Sequence, residues 1–416
     1  MKKIIFLLLI SFMGAIGQDN AGELTLDQCV RMALSANTTI LQNRLNVRQS
    51  EIAVNGAASA LLPTASLSSS AATSKSDGAG SAWASDWRLS ASINQSLYQP
   101  GLYTGISLAK LNQETTRLTV EESKSQIITA VHRLYFQILT SRDLITVYRE
   151  NLLNSDQNLE KIRYMYQVGA KTESDVLKAE VQRGDIQSSL LSEEQNLRAL
   201  KRDMDILLGR TPTGEFALAP VATDNLDIPE WSVARQLVLE KNWSYQAVKK
   251  NIQAQTLSVK MAKESYLPSL SGSYGYSKGG DFDGYTSPAG HSLSIRASLD
   301  LFDGLRKHRT IQLEQVARER LALELQEKER QLTQDLLSVY QNIETLNQLI
   351  ALNEKTVRSA QRDLQLVSER YAMGGSTILD QTTAQAALIR TQTELVRVQY
   401  SRKIAEAQVK QMLALL

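Results

Sequence analysis

Several features common in enzymes and binding proteins are scarce or missing in this sequence. Cys29 is the single cysteine, so no disulfide can form within one chain. The formal net charge of +2 gives nucleic-acid binding no electrostatic support. The three histidines, His132, His291 and His308, are scattered, and no metal, phosphate or nucleophile motif accompanies them. We therefore expect no enzyme, no cofactor, no metal site and no nucleic-acid partner.

Long apolar runs are also absent beyond the start of the chain. Two lysines precede the apolar stretch 4–13, and Ala-Ile-Gly at 15–17 has the small-x-small pattern of a cleavage site. We expect residues 1–17 to be a signal peptide and the mature chain, from about Gln18, to be exported. After it, no segment reaches the ~20 apolar residues that a spanning helix requires. Two possibilities remain: a soluble periplasmic protein, or a protein inserted through β-strands.

Cys29 is not placed like a lipid attachment site. The residues directly before it are Leu26, Asp27 and Gln28, whereas lipid attachment requires small apolar residues there. It also lies well past the apolar run. We expect a small, half-buried residue on a helix.

What the chain does contain is an internal repeat with an offset of 205 residues. Leu62-Pro63 recurs as Leu267-Pro268, and the motif of Tyr166, Gly169, Thr172 and Asp175 recurs as Tyr371, Gly374, Thr377 and Asp380. We expect a first structural repeat over 18–216 and a second over 229–416. A Pro- and Gly-rich linker over about 209–229 would join them.

Each repeat is predicted to contain long helices. Apolar residues follow heptad spacing from Val131 to Tyr166, and the same spacing returns 205 residues later. At ~1.5 Å per residue the first long helix would measure on the order of 95 Å, which suits a bundle or a tube. A soluble coiled coil would show the same periodicity. The predicted long and return helices cover about 105–167, 172–208, 304–372 and 377–414.

Two further segments of each repeat alternate apolar and polar residues, most clearly from Ser292 to Leu301. Strands are predicted at about 64–73, 88–98, 269–277 and 291–301. Their length of about ten residues would cross an outer membrane when tilted. Four strands cannot close a spanning barrel, and an open edge in lipid would leave backbone groups unpaired. If the strands insert, several chains must share one barrel: three would contribute twelve strands, and two would contribute eight. The alternative is a pair of soluble hairpins.

The order of these elements resembles the TolC-like outer membrane efflux family over nearly the whole mature chain. The residues that carry the resemblance are LTLDQCVRMALSAN from Leu24 and the two turns, YQVGAKTESDV from Tyr166 and YAMGGSTILDQ from Tyr371. It implies a mainly α fold with membrane β-strands, built from a duplicated unit of two strands plus long coiled-coil helices. It further implies a homotrimer with a 12-stranded β-barrel in outer membrane lipid and a 12-helix α-barrel in the periplasm.

The resemblance implies a function as well. The chain would be the outer membrane channel component of a tripartite efflux pump, a passive conduit. Its partners would be a periplasmic adaptor (membrane fusion protein) and an inner-membrane transporter of RND, ABC or MFS type. Two alternatives stay open: the outer membrane channel of a type I protein secretion system, and a soluble periplasmic coiled-coil scaffold.

The two helix–helix turns are the expected functional site. Glycines permit the chain reversal, and Thr172 and Thr377 can cap the return helices with Asp175 and Asp380 at capping-box spacing. The resemblance implies that Asp380 faces the pore constriction in three copies, and that Asp175 and Tyr371 link neighbouring hairpins and hold the entrance shut. It also implies adaptor docking at Val168, Gly169, Thr172, Met373, Gly374, Gly375 and Thr377.

The turns also depart from the family pattern. Ser376 stands where better-known members carry an arginine, and Thr383 stands where they carry a second pore aspartate. We therefore expect no double acidic ring. The entrance lock is expected to be weaker or to use other residues, with Lys171 as a candidate.

Overall fold

The structure is a computed structural model that describes residues 23–75, 83–221, 228–282 and 284–415. Within these residues the helices are α1 Leu26–Ala36, α2 Thr38–Ser59, α3 Leu102–Gln167, α4 Glu173–Leu207, α5 Trp231–Lys241, α6 Trp243–Glu264, α7 Arg306–Ala372 and α8 Ile378–Met412. The strands are β1 Thr64–Lys75, β2 Trp83–Tyr98, β3 Ser269–Asp281 and β4 Gly290–Ser298. The order of two short helices, two strands and two long helices thus occurs twice. The predicted signal peptide lies outside the described residues.

The chain divides into two compact units. The turn unit comprises Met1–Ala33, Val131–Asn225 and Asn353–Tyr400, and it holds both helix–helix turns. The sheet unit comprises Leu34–Ala130, Leu226–Leu352 and Ser401–Leu416, and it holds the four strands. Across the described helices, none contains a stretch long and apolar enough to span a membrane.

The strands form one antiparallel sheet in the order β1-β2-β3-β4. Because successive side chains point to opposite faces, residues of one row share a face across the sheet. One face, here the apolar face, carries Leu67, Leu89, Ile93, Leu97, Tyr274, Tyr276, Leu293 and Ile295. The other, here the serine face, carries Ser66, Ser68, Ser90, Ser92, Asn94, Ser96, Ser271, Ser273, Ser292, Ser294 and Arg296.

The last strand is shorter than predicted. Alternation in the sequence continues to Leu301, but β4 ends at Ser298. Ser298 pairs with Ser269, the first residue of β3. The next partner would be Pro268, which has no N–H to donate to the ladder.

The other three strands are longer than predicted. β1 continues to Lys75 rather than about 73, β2 begins at Trp83 rather than about 88, and β3 continues to Asp281 rather than about 277. The added part of β3, Lys278-Gly-Gly-Asp281, pairs with Leu89 to Asp86 of β2. Glycines carry no alternation signal, so this extension depends on the neighbouring strand rather than on the local sequence.

The core of the sheet unit lies between the short helices of the second repeat and the long helices. Its buried members are Ala234, Val238, Tyr245, Leu332, Leu336, Val409 and Leu413. Trp231 packs edge-on against Tyr340, with 5.7 Å between ring centroids. The Tyr340 hydroxyl donates a 2.6 Å hydrogen bond to the Pro229 carbonyl, which fixes the start of the second repeat against α7.

In the turn unit, the chain after α4 folds back against the start of the described chain. Leu24 forms a parallel bridge with Leu218, and the Tyr135 hydroxyl donates a 2.6 Å hydrogen bond to the Ala219 carbonyl. Cys29 was predicted to be half-buried, but it is fully buried in α1. Burial raises the pKa of its thiol to about 11, which keeps the thiol protonated at neutral pH.

Candidate functional site

The first helix–helix turn reverses the chain between α3 and α4. Gly169 has φ +76°, a left-handed conformation that L-residues rarely adopt. The Ala170 N–H then donates to the Met165 carbonyl at 2.8 Å, which satisfies a carbonyl left open at the helix end. This is the Schellman arrangement, and its glycine is required by backbone geometry.

The second turn, between α7 and α8, has the same construction. Gly374 has φ +80°, and the Gly375 N–H donates to the Arg370 carbonyl at 2.8 Å. A Cβ added at Gly374 would meet no atom within 4 Å, as at Gly169. The requirement for glycine at both positions therefore comes from the backbone conformation and not from a close neighbour.

Both return helices begin with the capping box predicted from the threonine–aspartate spacing. At α4 the Asp175 N–H donates to Thr172 Oγ1 at 3.3 Å, and the Thr172 N–H donates to Asp175 Oδ2 at 3.0 Å. At α8 the Asp380 N–H donates to Thr377 Oγ1 at 3.2 Å, and the Thr377 N–H donates to Asp380 Oδ2 at 2.8 Å. The capping part of the prediction is confirmed.

Asp380 is exposed, and its environment favours the ionised form. The Thr377 N–H and then the Thr377 hydroxyl, which donates to Asp380 Oδ2 at 2.8 Å, lower the pKa of the carboxyl group. Hydrogen bonds to a carboxylate stabilise its charge, so Asp380 carries a fixed negative charge at neutral pH.

Lys171 joins the first turn to the second. Its Nζ atom donates a 3.0 Å hydrogen bond to the carbonyl oxygen of Tyr371 and lies 3.6 Å from the centre of the Tyr371 ring. An ammonium group over an aromatic face is attracted by the ring quadrupole, most strongly where water is partly excluded. One side chain therefore makes two charge-dependent contacts with one residue of the other turn.

Tyr371 itself lies in the small core beneath the two turns. This core contains Leu159, Ile162, Ala179, Tyr371 and Ile378. Tyr371 is 4% exposed, and its hydroxyl has no hydrogen-bond partner among the described residues. Burial and then the nearby Asp175 carboxylate raise its pKa to about 12, so it is neutral at physiological pH. The predicted link between Asp175 and Tyr371 is not formed within the described chain, where the bonded oxygen of Asp175 serves the cap.

The tips of both turns expose apolar side chains. Val168 is 60% exposed and Met373, its equivalent in the second repeat, is 80% exposed. Next to them, the Ser376 hydroxyl donates to the Val367 carbonyl at 3.1 Å within its own turn. The structure thus brings the predicted site residues together at two equivalent turns. Sequence reasoning could name Lys171 only as a candidate, because its partner lies 200 residues away.

The sheet presents a second functional surface. On the apolar face, Leu67 is 74%, Leu293 is 83% and Ile295 is 71% exposed. On the serine face, Ser66 bonds Ser92 at 2.9 Å and Ser273 bonds Ser294 at 2.7 Å through their hydroxyls. Within the described residues, the outer edges of β1 and β4 have no strand beside them. A large exposed apolar surface of this kind marks a contact with lipid or protein.

Comparison with known proteins gives a consistent result over most of the chain. The family model described as outer membrane efflux protein matches residues 29–209 and 234–415. The chain is similar to outer membrane protein TolC of Salmonella enteritidis, with 21% identity over 76% of this chain and 67% of that one. It is also similar to the probable outer membrane lipoprotein SilC of Salmonella typhimurium, with 20% identity over 67% of this chain and 61% of that one. About two thirds of each relative's length is therefore matched.

The fold agrees with that of a solved protein that forms a transmembrane channel. The crystal structure of CusC, described in terms of folding and transmembrane channel formation, superposes with a TM-score of 0.84. The match covers 93% of this chain and 91% of CusC at 15% sequence identity. At this identity the likeness establishes the fold alone.

Proposed function

The chain belongs to the outer membrane efflux protein family, and from this premise we propose that three copies form a passive channel through the outer membrane. The channel would carry substrates delivered from the periplasm to the outside. The family is one of efflux proteins rather than of enzymes. This membership also argues against the soluble scaffold considered from the sequence.

The observation that carries the proposal is the two-faced sheet. Its apolar face leaves Leu293 83% exposed, while the opposite face is polar and carries two serine pairs that bond through their hydroxyls. Lipid is a suitable environment for the first face, and water for the second. A sheet in a soluble protein would instead bury its apolar face against a core.

The strand order supports closure by several chains. Every neighbouring pair of the sheet is antiparallel, so β1 and β4 run in opposite directions. β4 of one copy can therefore pair with β1 of the next without breaking the alternation. Three copies would contribute twelve strands, an even number within the range of bacterial barrels, and would leave no free edge in lipid.

The two helix–helix turns would form the periplasmic entrance. In a trimer three copies of Asp380, each held ionised by Thr377, would ring the constriction and attract cations. Lys171, through its contacts with Tyr371, would hold the first and second turns of each copy together. Asp175 would meet the Tyr371 hydroxyl where hairpins adjoin in the closed assembly, giving that buried group an acceptor.

The exposed tips of the turns would dock a periplasmic adaptor. Val168 and Met373 offer apolar contact at equivalent places, and the capped helix starts at Thr172 and Thr377 keep them in a fixed geometry. An adaptor with apolar side chains at its own tip fits this surface. The adaptor, in turn, would connect the channel to an inner-membrane transporter.

The test is direct. The full-length protein should fractionate with outer membranes after a high-salt wash, have the mass of a trimer in mild detergent, and produce discrete current steps in planar bilayers. A protein that stays in the soluble fraction and has the mass of one chain would contradict the proposal.

A further inference from the structure

The serine face of the sheet contains a polar groove that the channel function alone does not explain. Its volume is about 590 Å³. It lies where the end of α2 meets the end of the sheet at which β1 and β3 begin. Ser59, Thr64, Asn94, Ser271, Ser273 and Arg296 are among the residues that line it. Among the described lining residues, Arg296 carries the one charge.

Arg296 is surrounded by serines on its face of the sheet. Its cross-strand partner is Ser271, and Ser294 and Ser298 are its same-face neighbours on β4. The guanidinium has no ion-pair or hydrogen-bond partner among the described residues. Asp300, the nearest carboxylate after it in the sequence, forms an ion pair with Lys307 at 3.5 Å. The charge of Arg296 is thus available to a ligand.

The other arginine of this face has different surroundings. Arg88 lies opposite Gly279 on β3, and the next pair of the same face along these strands is Asp86 opposite Asp281. The next pair of this face beside Arg88 thus carries two carboxylates, whereas the neighbouring positions of Arg296 on its face carry serines. Arg88 also contributes nothing to the lining of the groove.

We propose that Arg296 and the serines around it form an anion-binding site in the channel, which takes phosphate, carboxylate or sulfonate groups of molecules in transit. A guanidinium can donate two parallel hydrogen bonds to such a group, and the serine and asparagine side chains can donate to its remaining oxygens. Three copies of the site would line the membrane section of the channel. The site rests on the proposed channel function, because that function turns the serine face toward water.

Such a site has consequences for selectivity. Asp380 at the entrance attracts cations, while Arg296 attracts anions in a separate part of the chain. A cleft lined by charges of one sign concentrates ions of the opposite sign. Salt weakens this effect, because the Debye length falls to about 3 Å at 1 M ionic strength. Block by a polyanion should therefore be strong at low salt and weak at high salt.

The test compares the full-length protein with Arg296→Ser and with the matched control Arg88→Ser. Inositol hexaphosphate is the probe, added to either side of a planar bilayer at low salt and, in parallel, titrated calorimetrically into the detergent-solubilised protein. We expect Arg296→Ser to weaken block and binding by about tenfold or more, because charge-assisted contacts are lost. Arg88→Ser should change them by less than about threefold, since Arg88 does not line the groove and two carboxylates lie at the next pair of its face.

The outcomes are distinguishable. Equal losses in both variants would overturn the site, because they would reveal a diffuse positive field rather than a defined groove. Unchanged block and binding in Arg296→Ser would overturn it as well. A protein that forms no channel contradicts the proposed function, whereas calorimetric binding that depends on Arg296 would still support the anion site.

Discussion

Lys171 and Ser376 occupy equivalent positions in the two turns, 205 residues apart, but their side chains make different contacts. Lys171 reaches the second turn, where it donates to the Tyr371 carbonyl and covers the Tyr371 ring. Ser376 bonds to the Val367 carbonyl of the helix that precedes it. The basic side chain that joins the two turns of this chain therefore comes from the first turn.

Replacing Lys171 by methionine should loosen the entrance. The variant keeps the length of the side chain but loses the hydrogen bond and the cation–π contact, which together contribute on the order of 1–2 kcal/mol. We expect a larger single-channel conductance and more frequent opening. Lys178→Met, at an exposed position of α4, is the matched control and should behave like the parent protein. Equal conductance in both variants would remove Lys171 from the closing mechanism.

Two substitutions of Tyr371 separate the contribution of its ring from that of its hydroxyl. Tyr371→Phe keeps the buried ring and both Lys171 contacts, so its free energy of unfolding should stay within about 1 kcal/mol of the parent. Tyr371→Leu loses the aromatic face and should unfold at lower temperature, with a cost of about 2–3 kcal/mol. Channel recordings then test the proposed Asp175 link. If Tyr371→Phe opens the entrance as much as Tyr371→Leu does, the hydroxyl is a closing contact; if only Tyr371→Leu opens it, the ring is.

The adjacent glycines of the second turn, Gly374 and Gly375, allow the cost of the same substitution to be compared at two positions. Gly374 has φ +80°, so Gly374→Ala should destabilise the chain by about 1–2 kcal/mol although the added methyl meets no atom. Gly375→Ala should be nearly neutral, because its nearest neighbour would be the Arg370 carbonyl oxygen at 3.6 Å, an ordinary contact. Thermal unfolding followed by circular dichroism measures both. Similar losses in the two variants would contradict the assignment of strain to Gly374.

The charge of Asp380 should persist in mild acid. Its pKa lies below the ordinary value of 3.8 because Thr377 donates to the carboxylate. The resulting stabilisation is present above the ordinary pKa and is lost as the pH falls through the lowered one. Block of the current by a trivalent cation should therefore be unchanged between pH 7 and 5, and a loss of block in this range would show that the three carboxylates raise one another's pKa. Asp380→Asn should abolish this block and Asp175→Asn should preserve it; the reverse pattern would exclude Asp380 as the pore carboxylate.

Substitutions of two neighbouring residues of β4, one on each face of the sheet, test which face contacts lipid. Leu293 lies on the apolar face and Ser294 on the serine face. Leu293→Lys should prevent insertion, because a lysine in the middle of the membrane costs about 2–4 kcal/mol in each copy. Ser294→Lys should insert normally and shift ion selectivity toward anions. Outer-membrane fractionation and bilayer recordings separate the two, and normal insertion of Leu293→Lys would reverse the assignment of the faces.

The sequence predicted those elements whose periodicity or capping residues lie within the element itself. Alternation from Ser292 onward predicted β4, and Thr377 with Asp380 predicted a capped helix start. Features that depend on a distant partner were missed or left uncertain. Lys278 to Asp281 is a strand because β2 lies beside it, and β4 ends early because Pro268 would be its next partner.

The two turns show the same distinction between features with a local sequence signal and features that depend on a distant partner. The glycine and threonine positions of both turns could be derived from backbone requirements alone. The contact of Lys171 with Tyr371 and the full burial of Cys29 could not, because each depends on the packing of segments far apart in sequence. Arg296 gave no signal at all, since one arginine in an alternating strand resembles any other polar position.

If several copies share one barrel as proposed, the outer edges of β1 and β4, which have no strand beside them among the described residues, also matter before assembly. A copy that has not yet met its proposed partners would expose two strand edges, which can pair with any extended polypeptide nearby. The yield of channels should therefore rise more steeply than linearly with synthesis, because misassociation competes with an encounter of several copies. Cells that make few copies would need either a protein that shields these edges during transit or a membrane surface that gathers the copies before the edges are captured.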